Sequence, residues 1–179
     1  LNVVSGHRDT SYTACPGNAF YSRLGSIRSG AKSMQSDVGG YPVKGAIGTY
    51  YRSHSAQTGE ARSLEGKLSN PNGAYQRFAK GTVYWSSKTG AHLNKGGIRN
   101  GYKRAGYTKG FLGYPSSDEK TFKYRKSAYY QNFENGMITW SSATKGQPMR
   151  GEILKKWKSL GWERSKLGLP KTDQFSSAG

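Results

Sequence analysis

His7 and Cys15 stand eight positions apart in the stretch GHRDTSYTACPG, and their types suggest chemistry more directly than any others in the chain. An imidazole nitrogen and a thiolate are donors that zinc takes readily. A catalytic zinc needs three protein ligands and an open position for water, and this stretch supplies two. The other histidines, His54 and His92, lie far down the chain. The plainer reading of the pair is a surface histidine and an inert buried thiol. Cys15 is the single cysteine, so no intrachain disulfide can form and the redox compartment is not legible from cysteine usage.

A second set of candidate groups is aromatic, and it recurs. The segment YQRFAKGTVYWSSKTG from Tyr75 is echoed by YQNFENGMITWSSATK from Tyr130, an offset of 55. The same offset relates Ile98 to Ile153, Tyr102 to Trp157, Gly106 to Gly161, Leu112 to Leu167, Pro115 to Pro170 and Asp118 to Asp173. A degraded copy precedes these two. Lys44, Gly45, Ile47 and Tyr51 match Lys95, Gly96, Ile98 and Tyr102 at an offset of 51, whereas Gly66, Leu68 and Pro71 match Gly110, Leu112 and Pro115 at 44. The change places about seven extra residues around SAQTGEARS.

The elements that must position these aromatics follow from the periodicity. Tyr75 to Phe78, a Lys80-Gly81 turn and Thr82 to Ser86 read as a β-hairpin, with glycine supplying a positive φ. Val83 and Trp85 share one strand face, as do Ile138 and Trp140, and that face is the expected buried one. Ile98, Tyr102 and Ala105 fall at helical spacing, as do Ile153, Trp157 and Leu160. Gly106 and Gly161 sit where a helix-ending glycine belongs. A proline-containing turn anchored by one leucine closes each unit. Units this small cannot bury their own faces, so neighbouring copies are expected to stack. The fold class expected is therefore α+β, built of tandem pseudo-symmetric repeats, each a β-hairpin, a short helix and a Pro-containing loop. The partial copy spans 41–73 and the full copies 74–128 and 129–179. Residues 29–40, Gly/Ser-rich and without apolar periodicity, read as a linker, and 1–28 as a separate N-terminal piece.

On this scheme Trp85, Trp140 and Trp157 belong to the apolar faces. Tyr107 and Trp162 occupy matched positions after the helix-ending glycine, in polar loops, and are candidates to face a ligand or to anchor the loop. Tyr84 points away from the Val83 face and joins the candidates. His92 with Lys95, and Gln147 with Arg150, would form a polar rim. Asp118 and Asp173 would accept sugar hydroxyls or, as their place after the turn favours, cap the local backbone.

Charge narrows the partners. The chain carries 28 Lys and Arg against 10 Asp and Glu, a net +18. Such an excess attracts polyanions, whether nucleic acid, wall polymer or lipid headgroup. No apolar run approaches the roughly 20 residues of a membrane span. No signal peptide is visible, and a chain that opens Leu-Asn-Val-Val reads as processed or truncated. Gly (25 residues) and Tyr (13 residues) are too abundant for a disordered polymer and suit a turn-rich sheet protein.

The motifs LGYPSSDE (112–119), LGLPKTD (167–173) and VYWSSKTGAHLNKGGI resemble the LGFP repeat of actinobacterial cell-envelope proteins, over about residues 41–179. That resemblance implies a module that holds an enzyme on wall polysaccharide. The segment SGHRDTSYTACPGNAFYSRLGSIR (5–28) resembles the end of zinc N-acetylmuramoyl-L-alanine amidases, the family that includes peptidoglycan recognition proteins. By it, His7 and Cys15 would be zinc ligands and Thr13 would help stabilise the oxyanion. The reaction implied is hydrolysis of the bond between muramic acid and the stem peptide. The family's first histidine ligand and most of its sheet lie upstream of this segment, and upstream of His7 the chain has only LNVVSG.

The expected function is thus a wall-binding module of a secreted, cell-wall-associated amidase, with peptidoglycan or wall polysaccharide as partner and Tyr84, His92, Tyr107 and Trp162 as wall-facing residues. Zinc belongs to the parent amidase, and this chain alone is expected neither to hold it stably nor to hydrolyse peptidoglycan. One alternative is a zinc amidase active only with its missing N-terminal region. Another is a basic nucleic-acid-binding protein, against which stands the absence of any helix-turn-helix, RRM or zinc-finger pattern.

Overall fold

A computed structural model of the chain describes residues 17–27, 40–69 and 71–173. The chain divides into two compact units, residues 1–41 and 42–179. The described part of the first is a short helix α1 (Asn18–Tyr21) and a helical turn at 24–27. The predicted linker lies outside the described residues except for Gly40.

The second unit alternates helices and sheets. Helix α2 (Gly45–Thr58) precedes strands β1 (Gly66–Ser69), β2 (Asn72–Phe78), β3 (Gly81–Ser86) and β4 (Gly90–Lys95). Helix α3 (Gly96–Arg104) leads through a 3-10 turn (Tyr107–Lys109) to β5 (Lys120–Thr121), β6 (Ala128–Phe133), β7 (Gly136–Ser141) and β8 (Lys145–Arg150). Helix α4 (Gly151–Ser159) and a second 3-10 turn (Trp162–Arg164) follow. Each sheet is an antiparallel meander, in the order β1-β2-β3-β4 and β5-β6-β7-β8. The expected hairpin is therefore the centre of a four-stranded sheet. Its outer strands, Gly66–Ser69 and Gly90–Lys95, lack the alternation of apolar residues that reveals a half-buried strand.

The register explains how the layers meet. Gln76 pairs with Val83 and Ala74 with Trp85, so these side chains share one face. Val83, Ala74, Phe78 and Leu93 pack there on Ile47 and Tyr51 of α2. Tyr84, on the other face, packs with Ile98 and Tyr102 of α3, and the same cluster takes in Ile138 and Phe133 of the second sheet. Met137 and Met149, on the far face of that sheet, pack with Leu154 and Trp157 of α4. Both faces of each sheet are covered, not only the Val83 face that alternation predicts. Helix α3 is shared by two sheets, and that sharing is what lets small units bury a core.

Three glycines at matched positions start the helices in a left-handed conformation: Gly45, Gly96 and Gly151, with φ of 56°, 54° and 56°. Gly45, within the expected partial copy 41–73, thus starts its helix with the same backbone angle as the glycines of the two later helices. The extra residues of that copy prolong α2, which kinks at His54. Gly81 serves differently from expectation. Its φ is not positive; a Cβ there would sit 2.7 Å from the Asn94 carbonyl oxygen, so close approach of β4 requires glycine.

The Leu-Gly-x-Pro turn is structural. Leu112 and Tyr114 are buried, and Gly113 takes φ 68° with the Glu134 carboxylate packed where a Cβ would lie. Tyr102 donates its hydroxyl hydrogen to the Gly113 carbonyl at 2.7 Å, and Trp157 Nε1 donates to the Gly168 carbonyl at 2.7 Å. The same tie is thus made by two different aromatics.

Buried glutamines lock copy to copy. Gln131, fully buried, donates from Nε2 to the carbonyls of Leu93 (2.9 Å) and Ser117 (2.8 Å) and accepts from Asn94 Nδ2 at 2.7 Å. Gln76 makes the matching bonds to Pro42 (3.1 Å) and Ser63 (2.9 Å), but its Oε1 has no partner. Val43 stands where the later copy has Asn94. At the edge strand β4, Leu93 N–H donates to Asp118 Oδ1 at 2.9 Å while its carbonyl serves Gln131, so groups that an edge would leave open are engaged.

Candidate functional site

The sheet face that carries Tyr84 is only partly covered by α3. What remains open is a cleft of about 430 Å3. Its floor comes from alternate residues of the sheet, Tyr75 and Arg77 of β2 and Thr82 and Tyr84 of β3, because side chains two apart share a face. Arg99 of α3 and Tyr107 and Lys109 of the 3-10 turn form the wall. The volume lies within the range of saccharide- and drug-sized sites.

The cleft is aromatic and cationic together. Tyr84 stands edge-on to Tyr102, and Tyr102 to Tyr107, each at 5.5 Å between ring centres. Burial, and after it the neighbouring Tyr107, pushes the Tyr84 hydroxyl well above the ordinary tyrosine value, while Arg99 and Arg77 oppose the shift. Tyr84 is therefore a neutral hydroxyl in a cleft that Arg77 and Arg99 also line.

The second copy repeats the cleft, at about 370 Å3. Tyr130 replaces Tyr75 on the floor, Trp162 replaces Tyr107, and Arg164 replaces Lys109. Lys158 lies 4.8 Å from the Trp162 ring centre, and Arg164 stacks at 4.5 Å on Tyr124. Tyr107 and Trp162 share an unusual backbone, φ 54° and 59°, a left-handed conformation costly for bulky residues. Such strain is found where a side chain's position matters to function.

Of the residues the sequence nominates, Tyr84 and Tyr107 come together in the first cleft and Trp162 lines the second. His92 lines neither. Its Nε2 contacts the Thr89 carbonyl at 2.9 Å and its Nδ1 faces Asp118 at 3.5 Å. Burial pushes the Asp118 carboxyl up, but the nearby His92, the Leu93 N–H that donates to it and Tyr50 outweigh that effect and hold the group below the usual aspartate value. Asp173 accepts a bidentate pair from Arg104, at 2.8 and 2.7 Å. Both aspartates tie the stack together. Trp157 is buried; Trp85 and Trp140 are half-buried against the core clusters. Arg77 and Arg99 escape a sequence reading because nothing recurs at their positions: Asn132 and Leu154 stand there in the second copy.

His7, Thr13 and Cys15 lie outside the described residues. Among the described residues no three His, Cys, Asp or Glu side chains converge, and His54 is stacked on Tyr50 at 4.1 Å. Also among the described residues, no helix is long and apolar enough to cross a membrane.

A family profile described as LGFP repeat matches residues 62–110 and 112–165, more than half of the chain. The match spans both sheets and both clefts and does not reach residues 5–28. No curated protein matches the chain.

Proposed function

Because the chain belongs to the LGFP-repeat family, whose repeats are cell-wall associated, we propose that it is a wall-binding module of a secreted N-acetylmuramoyl-L-alanine amidase, holding the hydrolase on envelope glycan through the two clefts. One observation carries this reading. The same aromatic, cationic hollow recurs in both copies, with Tyr107 and Trp162 held at the same strained backbone position. A flat aromatic face beside hydrogen-bonding and charged groups suits a sugar ring. Two weak sites on one rigid stack raise avidity for a repeating polymer without either being strong alone.

The amidase parentage rests on the resemblance of residues 5–28. His7 and Cys15 would be zinc ligands there, and the metal would polarise an amide carbonyl and activate water. The wall-binding reading is independent of that chemistry. Purified actinobacterial cell walls, sedimented with the chain at physiological salt, test it. Retention that falls in Tyr107→Asn and Trp162→Asn variants is expected; a chain that stays in the supernatant refutes the reading.

A further inference from the structure

We propose that the first cleft is an acid-selective subsite, taking a sugar unit that bears a carboxylate or phosphodiester, with Arg77 and Arg99 holding the anion and Tyr107 lying beside the ring. The proposal deepens the wall-binding reading and rests on it for the saccharide.

Among the described residues, Arg77, Arg99 and Lys109 line this cleft and no carboxylate does. Among the described residues, Arg104 is paired with Asp173, Lys95 with Glu119 and Lys88 with Glu134, whereas neither Arg77 nor Arg99 has an acidic partner. The Nε of Arg99 is shielded from solvent and makes no hydrogen bond. A guanidinium N–H withdrawn from water without an acceptor is costly unless a ligand supplies one.

The fold does not require these arginines. The second copy builds the same sheet, helix and turn with Asn132 in place of Arg77 and Leu154 in place of Arg99. There Leu154 is buried in the core, and neither it nor Asn132 lines the second cleft. The difference between sister sites therefore concerns what they bind.

The cationic surface also continues beyond the cleft. A second hollow of about 380 Å3 shares Arg77 and Arg99 and adds Lys80 and Arg62, the latter paired with Glu60 at 3.4 Å. A polymer with acidic groups at intervals would meet cations along this whole path. Arginine suits the task because its planar fork pairs with two oxygens of a carboxylate or phosphate at once.

Titration calorimetry on the full chain with three soluble probes tests this: a galacturonate tetramer, a glycerol-phosphodiester tetramer and a neutral cellotetraose. The wild-type chain is expected to bind one of the acidic probes, which identifies the source of the anion, and to bind it more weakly as salt rises. Arg99→Gln and the exposed Arg77→Gln should each weaken that binding about tenfold or more, the loss of a charge-assisted hydrogen bond. Neither substitution should lower the unfolding midpoint, and the wild-type chain should bind cellotetraose more weakly than the acidic probe. Failure of the wild-type chain to bind either acidic probe overturns the proposal, as does binding that ignores both substitutions. Tighter binding to a twelve-nucleotide oligothymidylate than to either acidic saccharide overturns it too. If walls retain the chain while these probes fail, wall binding stands and the acidic subsite falls.

Discussion

Replacing Gln131 by leucine tests the physical claim on which the stack depends. The side chain is fully buried and makes three hydrogen bonds, to the Leu93 and Ser117 carbonyls and from Asn94 Nδ2. Leucine has similar bulk and fills the space but leaves three polar groups facing it. Asn94 suffers most, since its Oδ1 already lacks a partner. Each stranded buried group costs about 1–3 kcal/mol, so the substitution should cost about 4 kcal/mol. Gln76→Leu is the internal control. It strands two carbonyls, and it removes an Oε1 that has no partner to lose, so its cost should be about 2 kcal/mol. Urea unfolding followed by tryptophan fluorescence reads both, with the midpoint shifting at constant slope. A Gln131→Leu cost under about 1 kcal/mol, or one no larger than that of Gln76→Leu, would refute the view that these amides clamp copy to copy.

Other perturbations separate packing from binding. Gly101→Ala should destabilise by about 1–3 kcal/mol in thermal melts, although alanine is the better helix former, because its Cβ would lie 2.8 Å from the Gly146 carbonyl oxygen. The depressed Asp118 carboxyl contributes stability that is complete above its unfolded value and is lost as pH falls through the lower folded value. The melting temperature of the wild-type chain should therefore drop more steeply than that of Asp118→Asn as pH falls below about 4. Asparagine tolerates left-handed backbone, so Tyr107→Asn and Trp162→Asn should keep the turns folded. Each should weaken wall retention about threefold to tenfold, with the double variant losing more than either, measured by sedimentation over a protein titration.

What the sequence determined by itself was the plan of the repeat. The offset of 55 located both helices, the helix-ending Gly106 and Gly161, and the matched aromatics Tyr107 and Trp162. These are legible because each is fixed by local requirements, an apolar face at helical spacing or a backbone angle that favours glycine. The buried glutamines Gln76 and Gln131 recur in the same register, yet recurrence alone does not say that an amide is buried. Only tertiary structure decided that both faces of each sheet are covered, because the covering helix comes from a neighbouring copy and leaves no period in the strand. It likewise decided that Arg77, on β2, and Arg99, on α3, meet in one cleft, two residues whose positions repeat nowhere and whose proximity depends on a helix packing across a sheet. Local sequence sets which conformations are cheap; which side chains then meet depends on how separate copies share their apolar surface.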